Sequence, residues 1–193
     1  GKDNLVGADG TRLGAYTPEL LYKGITELAA IFDRQDEGAA LIANLREQEA
    51  KAAEQATSLN LGEDASAVFW FSSADMDIDP YVAGRLGPSG YIMKTLGLRN
   101  VIESDEEWPT VGWETIARAN PTYIVIAKME RRRFPADDYE KKIEFLKSDP
   151  VTSLMDAVKN DRIIVLEADA MQSSLRTIYR LEGLTQALAE KSE

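Results

Sequence analysis

The sequence contains no cysteine and no histidine. Without thiols it can form no disulfide, hold no thiolate-ligated zinc and use no thiol nucleophile. Without imidazole it can build neither a Ser-His-Asp triad nor a His-ligated haem site. A metal could be held only by oxygen ligands or methionine sulfur. The lack of thiols fits an oxidising or a reducing compartment equally well. Long apolar runs are also lacking. Spanning a bilayer takes about 18 or more apolar residues, and the longest runs here, such as Ala67 to Phe71, are strand-sized. The opening Gly1-Lys2-Asp3-Asn4-Leu5-Val6 has no charged start followed by an apolar run, so it does not read as a signal peptide. Positive charge is scarce: 22 Lys and Arg stand against 33 Asp and Glu, a net charge of −11. Such an acidic body repels phosphate backbones, so no nucleic-acid partner is expected.

What is present is ordinary for a folded protein. The chain has 193 residues, 44% hydrophobic and 28% charged, enough for one domain or one and a piece. Residues 1–17 carry Gly7, Gly10 and Gly14 and read as loop or frayed end. Thr17-Pro18-Glu19 is a helix start with hydroxyl, Pro and acid in sequence. Leu21, Ile25, Leu28 and Phe32 then predict one buried face. A second helix is expected from Glu37 to Thr57, with Ile42, Leu45, Ala52 and Ala56 as its stripe. Its latter half is rich in strong helix formers but poor in large apolar groups, which suits a strut along a surface, although the pattern favours an ordinary amphipathic helix with a solvated face.

After Gly62 the pattern alternates. Ala67–Phe71, Asn100–Ile102, Tyr123–Ala127 and Arg162–Leu166 read as strands, three of them continuously apolar and so covered on both faces. Helices are expected over Gly87–Leu96, Val111–Ala119, Asp137–Lys147, the stretch after Ser148-Asp149-Pro150, and Met171–Lys191. The order predicts an α/β fold: an open parallel sheet with helices on both faces, one Rossmann-like lobe, preceded by a long connecting helix. The divisions expected are 1–33 as an N-terminal segment, 34–60 as the long helix and 61–193 as the α/β lobe.

In open parallel sheets ligands sit beyond the carboxyl ends of the strands. That rule singles out four loops. Ser72 to Pro80 carries Asp75, Asp77 and Asp79 at alternate positions, the beginning of a calcium-loop spacing. It lacks the glycine and closing glutamate of such loops, which favours a solvated turn. Glu103 to Val111 sets four acids beside Trp108, with Trp113 just beyond, so either an aromatic ligand wall or core packing is open, the latter above all for Trp113. Lys128 to Pro135 holds Arg131, Arg132 and Arg133. Guanidinium forks suit carboxylate, catecholate or phosphate oxygens, and solvated surface is the other reading. Glu167 to Gln172 is the fourth. Gly87-Pro88-Ser89-Gly90 opens a helix but lacks a phosphate-loop lysine or a dinucleotide fingerprint. The serines lack an imidazole base, so no catalytic set emerges.

Several segments, in order, resemble one family. Trp113-Glu114-Thr115-Ile116-Ala117-Arg118-Ala119-Asn120-Pro121-Thr122-Tyr123-Ile124-Val125-Ile126 is similar to the helix, Asn-Pro-Asp, apolar-strand signature in the second lobe of ABC-importer solute-binding proteins that carry ferric siderophores, haem and cobalamin. Leu96-Gly97-Leu98-Arg99-Asn100 resembles the family's Leu-Gly-x-x-Asn turn. Ala157-Val158-Lys159-Asn160-Asp161-Arg162 resembles its Ala-Val-Lys-Asn-Gly-Arg approach to the last strand. Leu28 to Asp33 looks like the end of a first lobe entering the inter-lobe helix. Thr122 and Asp161 depart from the usual Asp and Gly.

The resemblance implies a second lobe with its connecting helix, residues 1–33 being a remnant of the first. It implies no enzyme activity and no cofactor. The expected function is the extracytoplasmic binding component of an ABC importer for a ferric siderophore or similar iron chelate. Its partners would be the permease transmembrane subunits. It would lie in the periplasm or at the outer face of the cell membrane, free or lipid-anchored as a lipoprotein. Implied ligand contacts are Trp70, Ser72, Tyr81, Trp108, Arg131, Arg132 and Arg133; Glu114 matches the position that docks on permease arginine, the other reading being an acid favoured by its helix N-terminus. A stand-alone flavodoxin-like domain with a signalling or enzymatic role is the competing reading, and an interaction module built on the long polar helix is a third.

Overall fold

The computed structural model describes residues 5–130 and 132–192. Two helices lead: α1 (Glu19–Ile31) and α2 (Gln35–Ser58). There follow β1 (Ser66–Ser72), β2 (Tyr81–Val82), α3 (Pro88–Thr95), β3 (Arg99–Asn100), α4 (Trp113–Ala119) and β4 (Tyr123–Lys128). The chain then continues through α5 (Tyr139–Ser148), α6 (Asp156–Lys159), β5 (Ile163–Glu167), α7 (Leu175–Tyr179) and α8 (Leu181–Ser192).

The sheet runs β2-β1-β4-β5, and β3 pairs with β1 beside the β2 edge. β1, β3, β4 and β5 are parallel, in register Ala67 to Tyr123 and Ile124 to Ile163. β2 is antiparallel to the end of β1, with a bulge between Trp70 and Ser72. This short strand escaped the sequence pattern because only two residues pair and Pro80 precedes them.

The continuous apolar runs are covered on both faces. On one face Ala67, Phe69, Tyr123, Val125, Ile164 and Leu166 pack against α2, α3, α7 and α8. On the other, Val68, Trp70, Ile124 and Ile126 pack against α4, α5 and α6. The long helix is an amphipathic one: Leu45, Ala52 and Ala56, the thin stripe its sequence carries, are buried against the sheet face. β5 closes one edge, which leaves Val165 40% exposed where a fully covered strand was expected.

α1 differs from its pattern. Leu28 is 57% and Phe32 70% exposed, and Tyr22 is the one buried residue of the helix. Periodicity marks an apolar face but not its cover, and the principal helical neighbour of α1 is α2. The two approach closely because position 38 is glycine: a Cβ there would lie 2.5 Å from the Ala29 Cβ. The Arg46 guanidinium sits 5.1 Å from the centre of the Tyr22 ring. Residues 5–16 are docked, not frayed. Arg12 is buried, ion-paired with Glu107 at 3.1 Å, and its backbone N–H bonds Asp105 O. The last helical stretch is two helices, divided at Arg180.

The motif residues have local explanations. Asn120 takes the left-handed conformation (φ 44°) that ends α4. Its side chain also bonds Asp156 at the start of α6, donating to Oδ2 at 2.7 Å and accepting from the backbone N–H at 2.9 Å. Thr122, in place of an acid, accepts from the Ser66 N–H at 3.1 Å and so pins the start of β4 to that of β1. Asp161 occupies a left-handed position (φ 52°) where glycine would be unstrained, and Lys147 and Lys191 both hold its carboxylate.

Candidate functional site

A cleft of about 440 Å³ opens beyond the carboxyl ends of β1 and β4. Its lining is Phe71, Ser72, Tyr81, Trp108, Met129, Arg133, Phe134 and Asp137. The place is where an open parallel sheet puts a ligand. Each wall has a local cause. Phe71 follows Phe69 at strand spacing, so it emerges on the face covered by α2 and α3. Tyr81 is brought alongside Ser72 by the bulged antiparallel pairing. Trp108 stands on a loop fixed by main-chain bonds from Gly84 to Glu107 O and from Glu107 to Gly10 O. Glycine is required at position 84, because a Cβ there would lie 1.8 Å from Glu106 O.

The Phe71 and Trp108 ring centres are 4.7 Å apart, with the planes tilted by 39°. Together with Tyr81, Met129 and Phe134 they make an aromatic and thioether surface suited to an organic ligand body. Arg133 adds a guanidinium, and among the described residues no carboxylate pairs with it. Asp137 lines the cleft yet is only 3% exposed. Its Oδ1 accepts from Ser72 Oγ, and its Oδ2 accepts from the N–H groups of Arg133 (2.7 Å) and Phe134 (2.9 Å). Burial pushes the Asp137 carboxyl up, but these hydrogen bonds and the charge of Lys142 outweigh it and hold it below its ordinary value.

Beneath lies Lys142, 0% exposed, whose Nζ donates to Phe71 O and, at 3.1 Å, to Ala127 O. The same ammonium sits 5.1 Å from the centre of the Trp70 ring. Burial lowers its pKa to about 7, against the opposing pull of the Asp137 carboxylate.

The residues singled out from sequence separate into groups. Ser72, Tyr81, Trp108 and Arg133 meet at the cleft although two strands, β1 and β2, and two separate loops carry them. Trp70 does not: it is 0% exposed on the opposite face, edge-on to Trp113 at 4.8 Å, with its indole N–H bonded to Ser72 O. Strand alternation turns Phe71 toward the cleft and Trp70 away. Arg132 points aside and pairs with Asp138 at 2.8 Å. Arg131 lies outside the described residues. Glu114 is exposed in the first turn of α4 and does not line the cleft. Among the described residues no three carboxylates converge as a metal set, Asp75, Asp77 and Asp79 included.

Sequence reasoning missed Phe71, Met129, Phe134, Asp137 and Lys142. One signal was there for Lys142: it precedes Leu146 by four residues and so shares its buried helical face. A signal was there for Asp137 too: it follows Pro135 by two residues, the place in a short helical turn where an acid caps the N–H groups before it.

A family model described as periplasmic binding protein matches residues 6–170. No curated protein matches the chain. Several solved structures share the fold. A periplasmic binding protein from Veillonella parvula is 24% identical, with a TM-score of 0.74 over 89% of this chain and 57% of that one. The periplasmic heme-binding protein BhuT, in complex with two hemes, is 18% identical, with a TM-score of 0.75 over 92% and 64%. An ABC-type Fe3+-hydroxamate transport system protein from Saccharomonospora viridis is 22% identical, with a TM-score of 0.71 over 91% and 57%. The chain therefore spans 57–64% of the length of these structures.

Proposed function

This chain belongs to the periplasmic binding protein family, and we propose that it forms one jaw of an extracytoplasmic receptor for a ferric siderophore or similar iron chelate. The receptor hands its ligand to the permease of an ABC importer and performs no chemistry on it. It works in the periplasm or at the outer face of the cell membrane, free or held by a lipid anchor. In this reading residues 1–33 are a remnant of the first lobe or an N-terminal segment, 34–60 form the inter-lobe helix, and 61–193 are the second lobe. Glu114, exposed on α4, is the contact for permease arginine.

The observation that carries the ligand class is the pairing of an aromatic wall with Arg133 in one cleft. A chelate offers an organic body to Phe71, Trp108 and Tyr81 and anionic oxygens to the guanidinium. The neighbours described as an Fe3+-hydroxamate transport protein and a heme-binding protein support a bulky iron complex as cargo. The competing reading of a stand-alone flavodoxin-like domain is weaker. The family match includes α1 and α2, which stand outside the strand–helix alternation.

The test is titration of the two-lobed receptor that carries this jaw, since half a cleft binds feebly, with ferric tris-catecholate, ferric tris-hydroxamate and hemin, followed by tryptophan emission. Saturable quenching by at least one of them is expected, and Arg133→Ala should weaken an anionic complex at least fivefold. No saturable response to any of the three would overturn the reading.

A further inference from the structure

Asp137 and Lys142 look at first like ligand-binding charges at the floor of the cleft. Their hydrogen bonds assign them elsewhere. Both Asp137 oxygens are already taken, one by the Ser72 hydroxyl and the other by the N–H groups of Arg133 and Phe134. A carboxylate so committed has little left for an iron complex or for an incoming donor. The Lys142 ammonium is committed too. The β1–β4 ladder ends at the pair Trp70 and Ile126, and Nζ bonds the carbonyls of the next residue on each strand, Phe71 and Ala127. Buried carbonyls past the end of a ladder need donors, and here a side chain supplies them.

Three cleft segments are thereby tied together: the end of β1 with Phe71 and Ser72, the end of β4 leading to Met129, and the rim at Arg133 and Phe134. We propose that Asp137 and Lys142 are positioning residues that hold the Arg133–Phe134 rim against the strand ends, so that the cleft presents a fixed guanidinium and selects an anionic chelate. This rests on the ligand reading of the cleft given above. Charge arithmetic gives the selectivity its probe. A ferric ion with three catecholates is trianionic, whereas with three hydroxamates it is uncharged. A rim that is held should favour the former, and a loosened rim should lose that preference while the aromatic wall still takes the latter.

The test has two readouts, the first on this chain and the second on the two-lobed receptor. Amide hydrogen exchange by NMR reports the anchor without any ligand. In Asp137→Ala the amides of Arg133 and Phe134 should exchange at least tenfold faster, with Val125 and Ile126 in the sheet unchanged. Asp137→Asn, which keeps the size and one acceptor oxygen, should give an intermediate acceleration, and it serves if the alanine variant does not fold. Tryptophan emission then reports affinity. Asp137→Ala and Lys142→Met should lower affinity for ferric tris-catecholate at least fivefold and for ferric tris-hydroxamate less than twofold. Unchanged exchange at residues 133 and 134 in a folded variant would overturn the proposal, as would equal losses for the two complexes. Arg133→Ala separates the two levels. If it too leaves both affinities untouched, the ligand reading fails, while the exchange rates still judge the anchor.

Discussion

The Phe71 ring and the Trp108 indole meet across 4.7 Å at a 39° tilt, although 37 positions separate them in the sequence numbering and they come from different elements. Their contact builds the aromatic wall. Aromatic pairs of this kind contribute about 0.5–1.5 kcal/mol beyond their buried area. Trp108→Ala is therefore expected to weaken whichever iron complex binds by about two- to tenfold at equilibrium dialysis. Retained affinity would remove Trp108 from the ligand surface.

Trp70 should behave in the opposite way. It is fully buried between the sheet and the rings of Trp113 and Phe145. Trp70→Ala is expected to lower the unfolding free energy in urea by about 3–5 kcal/mol. The milder Trp70→Phe should cost less and leave chelate affinity within twofold. A selective affinity loss in a stable Trp70→Phe chain would argue against the core assignment.

Lys142 makes stability depend on pH with a definite sign. Its folded pKa is pushed down to about 7, below its ordinary value of 10.5. Between these values the unfolded chain keeps a proton that the folded chain has released, so stability rises with pH through this window. Below the window both states are protonated, and the folded chain carries the full cost of a buried ammonium. Urea unfolding at pH 7 and at pH 9.5 should give a larger rise for the wild type than for Lys142→Met, by an amount on the order of 1–3 kcal/mol. Equal rises would mean that the ammonium stays charged throughout.

Gly84 tests how the Trp108 loop is held. A Cβ would sit 1.8 Å from Glu106 O and 2.8 Å from Ser104 O, both main-chain atoms with little room to yield. Gly84→Ala should destabilise the chain by about 1–3 kcal/mol through this overlap. It should also shift the Trp108 emission band as the loop is displaced. A variant with wild-type stability and emission would mean that the loop moves freely.

Glu114 has a prediction that separates docking from binding. It is exposed and outside the cleft. Glu114→Arg in the cell should reduce uptake of the radiolabelled iron chelate at least tenfold while chelate affinity stays the same. Normal uptake would remove the residue from the permease contact.

Much of this fold was legible because its causes are local. Uninterrupted apolar runs at Val68–Phe71 and Tyr123–Ala127 mean coverage on both faces, and that is what helices on either side provide. Pro88 at the entry of α3 and Asn120 at the end of α4 act through their own backbone preferences. The expected burial of Leu28 and Phe32 was not legible, since an apolar stripe cannot say what lies against it. Nor was the short antiparallel β2, which exists only because the end of β1 is there to pair with it.

The sequence by itself determined the main helices and the parallel strands, their order, and the end of the sheet where a ligand belongs, because spacing and capping act within a few residues. Tertiary structure alone decided which side chains face the cleft. Phe71 rather than Trp70 faces it by the parity of a strand near its end. Arg133 rather than Arg132 lines it because a turn at Pro135–Asp137 brings a buried carboxylate to the Arg133 and Phe134 N–H groups. That carboxylate is itself fixed by the Ser72 hydroxyl, 65 positions away, and Trp108 is brought in through the Gly84 bond to Glu107 O, contacts between distant segments that no local pattern encodes.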